Sequence, residues 1–248
     1  MKITAFNSSP RGKETSKTEL LLQSFLAGAA RAGAATETIY LKQYHINHCT
    51  GCFGCWLKEK GRCVQEDDMT GELFDRLLEP DLAVLATPLY HFNMNARMKM
   101  FIERTLPMMD PAMQSRGERT HHFLRVPKVP RIVALSVCAF PEQDNFQALS
   151  LNMRMIFGPL LIAEIYRHSS EFLPIPLLAA KVEEVLAAAA RAGEEVVRHG
   201  KVDPATLAAL TQDLAPKEVL IDLANEYWQK EMARHQEEAE KGHVDEYA

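Results

Sequence analysis

The sequence has no apolar run that approaches the roughly 20 residues needed to cross a bilayer. Its first residues carry one positive charge and only a short apolar run, so we expect no signal peptide and no export. Basic residues do not dominate either, because 28 lysines and arginines stand against 33 acidic residues and no basic stripe alternates with aromatics. These absences argue against membrane and nucleic-acid partners and predict a cytoplasmic protein.

Glycine-rich phosphate motifs are also absent from the loop that follows the first apolar run. This loop contains neither G-x-x-x-x-G-K-[ST] nor G-x-G-x-x-G. The first motif would hold a nucleoside triphosphate and the second a dinucleotide pyrophosphate. We therefore expect neither ligand there.

Cysteine is rare except in one stretch, which holds four of the chain's five cysteines: Cys49, Cys52, Cys55 and Cys63. Thiolates at this spacing suit a soft metal centre, and in a reducing compartment such clusters are more often metal-binding or redox-active than disulfide-linked. The C-x2-C-x2-C run favours a [4Fe–4S] cluster over structural zinc, which more often takes two cysteine pairs separated by a longer segment. A zinc site and an empty or disulfide-linked loop remain the alternatives.

Apolar runs alternate with helical patterns along most of the chain, which predicts an α/β fold with a doubly wound, five-stranded parallel sheet. We expect one domain over residues 1–200 and a helical C-terminal extension over 201–248. The expected strands cover residues 2–6, 36–41, 82–86, 131–137 and 160–166.

The loop between the first strand and the first helix is crowded with hydroxyl and basic side chains. Backbone N–H groups and the positive end of a helix favour an anion at such a place, and a single phosphate group fits best. The alternative is an ordinary polar turn with a helix cap. The candidate phosphate-binding residues are Ser9, Arg11, Ser16, Lys17 and Thr18.

Two further loops are expected at the same edge, because ligands of open parallel sheets bind outside the carboxyl ends of the strands. In the loop over residues 87–95, the aromatic rings of Tyr90, His91 and Phe92 could stack on a flat ligand, or they could cover the core. Cys138 follows the next strand, where it either borders the site or is a half-buried thiol without chemistry.

Two segments fall outside this pattern. Residues 107–130 contain four prolines and no sustained periodicity, which predicts an irregular insertion that acts as a lid or an oligomer contact. Its pair His121-His122 is expected to face solvent. In the C-terminal extension, an apolar stripe from Val219 to Met232 is expected to pack either on its own sheet or on a partner subunit.

The loop motifs together resemble the flavodoxin-like NAD(P)H-dependent FMN reductase family. The resemblance rests on Ser8-Ser9-Pro10-Arg11 with Ser16 and Thr18, and on Thr87-Pro88-Leu89-Tyr90 with Lys99 and Arg104. The cysteine run is similar to that of the iron–sulfur flavoprotein branch. The resemblance covers about residues 1–200.

The resemblance implies that the first loop holds the FMN phosphate and that the four clustered cysteines ligate a [4Fe–4S] cluster, commonly near a subunit interface. It implies a homodimer or homotetramer that transfers electrons from NAD(P)H, or from a reduced protein carrier, to a quinone, a flavin or another small acceptor. No catalytic side chain is implied, because the flavin carries the chemistry. A non-enzymatic electron carrier and a zinc-binding flavodoxin-like module are the alternatives. The implied flavin-ring contacts are Pro88, Leu89, Tyr90, His91, Phe92, Asn93, Cys138, Ala139 and Phe140.

Overall fold

The centre of the computed structural model, which describes residues 1–240, is a parallel sheet of five strands. The five strands are β1 (Lys2–Asn7), β2 (Ala35–Tyr40), β3 (Leu82–Tyr90), β7 (Arg131–Val137) and β8 (Leu161–Arg167). Their order in the sheet is β2-β1-β3-β7-β8, that of a flavodoxin-like doubly wound sheet, so the predicted fold class is confirmed.

Helices cover both faces of the sheet. Leu21 and Phe25 of α1 lie in the core cluster that also contains α6, whereas Met98 of α4 and Leu149 of α5 lie in the core cluster on the other face. The helices are α1 (Lys17–Arg31), α2 (Gly54–Leu57), α3 (Phe74–Leu78), α4 (Ala96–Glu103), α5 (Gln147–Phe157), α6 (Ala179–His199), α7 (Pro204–Leu210) and α8 (Lys217–Glu240).

Helices α1 and α6 approach so closely that each requires a glycine at the crossing. A Cβ on Gly28 would lie 1.7 Å from the carbonyl oxygen of Ala190, and a Cβ on Gly193 would lie 2.0 Å from that of Phe25. This contact sets how closely α1 and α6 pack on their face of the sheet.

Strand β3 is longer than the sequence predicts. The expected loop begins at Thr87, but the strand continues to Tyr90 and folds back into the short antiparallel strand β4 (Asn93–Met94). The two turn residues, His91 and Phe92, have φ angles of 47° and 62°, the left-handed backbone that a tight two-residue hairpin turn requires.

The sequence predicts an irregular insertion over residues 107–130, and this prediction is wrong. It contains an antiparallel hairpin of β5 (Met109–Arg116) and β6 (Arg119–Leu124), with Gly117 at φ 62° in its turn. The strands are mostly exposed and polar, so they lack the apolar alternation by which a strand is recognised in a sequence.

The described part of the C-terminal extension is helical, and its first helix belongs to the core. Leu210 of α7 is fully buried in the cluster between α1 and α6. The first part of α8 packs through Leu220, whereas Tyr227, Trp228 and Met232 are exposed. The domain boundary at residue 200 remains a prediction, and the extension's residues 241–248 lie outside the described range. Between residues 1 and 240, no helix is long and apolar enough to cross a membrane.

Candidate functional site

The loop between β1 and α1 forms a compact polar turn at the carboxyl edge of the sheet. Ser16 caps α1, since its Oγ accepts a hydrogen bond from the Glu19 amide (3.1 Å) and donates one to Ser9 Oγ (2.8 Å). The Ser9 amide in turn donates to Asn7 Oδ1 (2.8 Å). The positive end of a 15-residue helix lies at this turn, which is an environment that favours a phosphate group.

The two predicted cations of this loop lie beside a carboxylate that the sequence-based site did not include. Arg11 Nη1 is 2.7 Å from Glu171 Oε1, and Lys17 Nζ is 3.7 Å from Glu171 Oε2. Both cations are therefore near the turn, as expected, and a bound phosphate would compete with Glu171 for them. Thr18, the last predicted phosphate contact, is buried in the first turn of α1.

Asn95 connects the first loop to the loop after β3. Its Nδ2 donates to the carbonyl oxygen of Ser8 (2.7 Å), and its Oδ1 accepts from the amide of Met98 and so caps α4 (3.1 Å). The sequence-based site missed Asn95, although an asparagine directly before a helical pattern is a cap signal that could have identified it.

Exposed aromatic side chains stand at the same edge. Tyr90, Phe92 and Phe140 are 47%, 53% and 62% exposed, so their rings are open to contact with a ligand. His91 and Phe92 also hold the left-handed backbone, which is strained for residues with a Cβ and concentrates at functional sites. This arrangement suits a flat aromatic ligand that would cover the rings.

The other predicted ring contacts differ in accessibility. Pro88 and Cys138 are buried, and burial raises the pKa of the Cys138 thiol. Leu89 is half-buried against the core, Ala139 is exposed, and Asn93 Oδ1 accepts from the amide of Met94. Ala139 and Asn93 are thus more accessible to a ligand than Pro88 and Cys138.

A fourth loop at this edge, which follows β8, was missed from the sequence. The amide of Ser170 donates to the carbonyl oxygen of Cys138 (2.8 Å), and that of Ser169 donates to Phe140 (2.9 Å). The next residue, Glu171, reaches Arg11 on the first loop. The sequence did contain a signal for this loop, because the polar run directly follows the fifth predicted strand. Ligands of open parallel sheets bind outside the carboxyl ends of the strands, and this applies to the fifth strand as it does to the others.

The four clustered cysteines line one pocket and carry free thiols. Burial raises the pKa of Cys55, and the other three thiols raise it further, which shows that the four sulfurs are electrostatic neighbours. Cys52 is exposed, and the amide of Gly54 near its sulfur (3.5 Å) lowers its pKa. The remaining lining residues include Phe53, Glu103, Arg104, Leu106 and Pro107.

The donor set at this pocket consists of four thiols. Within the described residues, no group of three or more His, Cys, Asp or Glu side chains is arranged to hold a metal ion. Thiolates are the usual ligands of iron–sulfur clusters and also bind structural zinc. The chemistry of the four thiols therefore fits a [4Fe–4S] cluster, as it also fits zinc.

The pocket lies at the far end of α4 from the aromatic loop and not beside the carboxyl ends of the strands. Arg97, in the first turn of α4, donates to the carbonyl oxygens of Leu41 and Tyr44, and Arg104, at the end of the helix, donates to that of Asn47. The segment after β2 thus runs along α4, whose eight residues span about 12 Å. These arginine contacts displace the cysteines from the sheet edge.

The β5–β6 hairpin packs on the cysteine segment. The Trp56 ring lies 5.1 Å, centroid to centroid, from both the Phe53 ring and the His122 ring. His121 is exposed, as expected, but His122 is half-buried in this contact instead of facing solvent. The hairpin therefore covers part of the cysteine segment.

The first part of the chain matches the model of a known protein family. The model of a family described as NADPH-dependent FMN reductase matches residues 1–120, which include β1 to β4, the polar turn and the cysteine pocket. This match covers just under half of the chain, and the matched residues are similar to the NADPH-dependent FMN reductase family. The matched region contains the predicted FMN phosphate contacts but ends before Cys138.

Within this family, the chain is similar to iron–sulfur flavoproteins. It is 38% identical over 107 residues to one from Archaeoglobus fulgidus (43% of this chain, 46% of the relative). It is 34% identical over 108 residues to one from Methanocaldococcus jannaschii (44% of this chain, 53% of the relative). The matched stretch spans about half the length of these relatives.

Solved structures share the fold over a longer part of the chain. An NAD(P)H:quinone oxidoreductase from Methanothermobacter marburgensis superposes with a TM-score of 0.59 at 17% identity, over 80% of this chain and 98% of that one. An azoreductase from Bacillus anthracis gives a TM-score of 0.53 at 16% identity, over 79% and 98%. At these identities the likeness establishes the flavodoxin-like fold alone.

Proposed function

We propose that the protein is an FMN-dependent oxidoreductase that takes electrons from NAD(P)H, or from a reduced protein carrier, and passes them to a quinone, a flavin or another small acceptor. The observation that carries this proposal is the polar turn at the positive end of α1, joined through Asn95 to a loop of exposed aromatic rings. The turn also belongs to the part of the chain that matches the FMN reductase family.

The chain's own residues would bind and orient the cofactor. Ser9 and Ser16 offer hydroxyls, and Arg11 and Lys17 offer positive charge, for the phosphate group. Tyr90 and Phe92, with Phe140, would cover the flavin ring and exclude water from it. FMN, when bound, supplies hydride and single-electron transfer. We assign no catalytic residue, because no side-chain acid or base is needed.

The cysteine pocket would hold a [4Fe–4S] cluster through Cys49, Cys52, Cys55 and Cys63. Such a cluster supplies one-electron transfer. This pocket, with the similarity to proteins named iron–sulfur flavoproteins, favours a second candidate function, an electron carrier that turns over no small substrate. A zinc-binding module is the alternative, and the C-x2-C-x2-C spacing of these cysteines favours the cluster over it.

Five free thiols are compatible with a reducing compartment, and we propose the cytoplasm. We also propose that the protein is a homodimer or homotetramer. Exposed apolar side chains on α5, such as Leu151 and Met155, and on α8, such as Trp228, would suit contacts between subunits.

Steady-state oxidation of NADH and NADPH by the FMN-loaded protein, with a quinone or free flavin as acceptor, tests the enzymatic proposal. We expect turnover that depends on both the nicotinamide and the acceptor. Flavin that is reduced without sustained turnover would favour the electron carrier, and flavin that no nicotinamide reduces would contradict NAD(P)H as the donor.

A further inference from the structure

Arg104 is a buried cation at the end of α4, in the wall of the cysteine pocket. Its side chain is 1% exposed, and it forms an ion pair with Asp67, whose side chain is fully buried. The two Asp67 oxygens lie 2.5 and 2.9 Å from the two terminal nitrogens of the guanidinium, which is a bidentate contact. The position of Arg104 is therefore firmly fixed.

Four of the five N–H donors of Arg104 have partners. The terminal nitrogens also donate to the carbonyl oxygen of Asn47 and to Thr70 Oγ1, each at 2.9 Å. Nε is buried and has no hydrogen-bond partner among the described residues. A buried donor without an acceptor is costly, and it suggests a group that the chain alone does not provide.

The pocket wall places Arg104 together with all four clustered cysteines. Burial alone would lower the pKa of Arg104, but Asp67 and the nearby Cys63 outweigh it and raise the pKa above its usual value. Cys63 is thus close enough to interact with the guanidinium. The free donor and the sulfur ligands share one site.

We infer that Arg104 is a positioning residue for the iron–sulfur group of the cysteine pocket, which its guanidinium contacts through a charge-assisted hydrogen bond from Nε to a sulfur atom at the Cys63 corner. This inference rests on the cluster of the proposed function. Hydrogen bonds to sulfur and local net charge both set the reduction potential of iron–sulfur sites, and both favour the reduced, more negative state when a cation donates.

Asp67 provides a second test, because its negative charge would lower the reduction potential of the cluster, whereas the positive charge of Arg104 would raise it. Arg104→Lys keeps a positive charge but removes the Nε donor and the planar fork. Asp67→Asn keeps the shape of the clamp but removes its charge. We therefore expect the two variants to shift the reduction potential of the cluster in opposite directions, whereas general damage to the site would not give opposite signs.

The test is a redox titration of the cluster, followed by electron paramagnetic resonance under anaerobic conditions. Arg104→Lys should make the cluster at least tenfold harder to reduce, which is about 59 mV for a one-electron couple. Asp67→Asn should make it easier to reduce. Arg97→Lys is the matched control, because Arg97 lies on the same helix, donates to two backbone carbonyls and does not line the pocket.

The possible results distinguish the role of Arg104 from the presence of the cluster. Cluster-loaded variants with the potential of the wild type, or shifts of the same sign, would overturn the role of Arg104 and leave the cluster intact. Wild-type protein that binds no iron and sulfide would overturn the cluster and this inference together. If the Arg104→Lys variant does not fold or does not take up the cluster, Asp67→Asn alone is the test. A reduction potential in Asp67→Asn that is not higher than that of the wild type would then overturn the inference.

Discussion

At the scale of single residues, Ser16 links the helix cap to the proposed phosphate site. Ser16→Ala removes the acceptor for the Glu19 amide and the donor to Ser9, so we expect a loss of about 1 kcal/mol in the free energy of unfolding. FMN affinity should fall about tenfold, as expected for one lost hydrogen bond to a charged group, while riboflavin affinity stays unchanged.

Titrations of flavin fluorescence with FMN and with riboflavin measure this difference. Ser24→Ala is the control, because Ser24 lies on the same helix and donates only to the backbone of Leu20. Equal losses for FMN and riboflavin would show that Ser16 does not contact the phosphate.

Asn95 holds two loops together, and two substitutions can separate its contacts. Asn95→Ser keeps an acceptor for the Met98 amide but cannot reach Ser8, whereas Asn95→Ala loses both contacts. We expect Asn95→Ala to lower the free energy of unfolding by about 1–2 kcal/mol more than Asn95→Ser does. Both variants should weaken FMN binding, because both free the first loop from the second.

Denaturant unfolding and FMN titration of the two variants check this prediction. FMN affinity that is retained in both variants would mean that the contact between the loops is not needed for binding.

Sequence reasoning recognised residues with a strong local signature and missed those defined by distant contacts. Ser16 could be found because it begins a helical pattern, and the cysteines because of their spacing. Glu171 lies 160 residues from Arg11 in the chain, so only the folded sheet edge brings the two together.

At the scale of elements, the crossing of α1 and α6 depends on Gly28. Gly28→Ala would place a methyl group 1.7 Å from the carbonyl oxygen of Ala190, so the helices must separate. We expect the free energy of unfolding to fall by about 3 kcal/mol. Gly71→Ala is the control, since a Cβ added there would meet nothing within 4 Å, and it should be neutral or stabilising by up to about 1 kcal/mol.

Thermal or denaturant unfolding of both variants measures these changes. A Gly28→Ala protein as stable as the Gly71→Ala control would contradict the close contact between α1 and α6.

The end of α7 is attached to β8 through buried side chains, which predicts a pH dependence of stability. His168 contacts the Thr211 carbonyl (2.9 Å) and Ser169 Oγ (2.8 Å). Burial and then the Arg167 charge lower its pKa below the ordinary value of 6.5, although Asp213 and Glu142 act in the opposite direction. The unfolded chain therefore binds a proton at His168 more readily than the folded protein does.

The contribution of His168 to stability should be fully present above about pH 6.5 and should decrease as the pH falls toward the lowered pKa of the folded state, by at most about 1.4 kcal/mol per pH unit. His168→Gln should flatten this part of the profile. Urea unfolding between pH 5 and 7, with the exposed His199→Gln as control, measures it. An unchanged slope in His168→Gln would contradict the prediction.

The elements that sequence reasoning described poorly are those with mixed or exposed patterns. The central strands β3 and β7 were recognised because they are buried on both faces and almost continuously apolar. The β5–β6 hairpin is polar and mostly exposed, so no periodicity revealed it. The extension of β3 past residue 86 depends on a turn at His91 and Phe92, and neither residue is the glycine or asparagine that marks such a turn in a sequence.

At the scale of the whole molecule, alternating strands and helices with right-handed crossovers were enough to predict the sheet and the loops that lie at the carboxyl ends of its strands. The path of residues 44–66 could not be predicted in the same way. That path follows buried contacts with Arg97 and Arg104, and those contacts place the cysteine pocket at the far end of α4. Only side-chain contacts between distant segments could specify it.

As proposed, one chain carries a flavin at the sheet edge and an iron–sulfur cluster in the cysteine pocket. The most direct test is to purify the protein anaerobically, reconstitute it with FMN, iron and sulfide, and count all three per chain. We predict one FMN, with about four iron and four sulfide per chain. Protein that retains no FMN and takes up none when it is added would contradict the central claim.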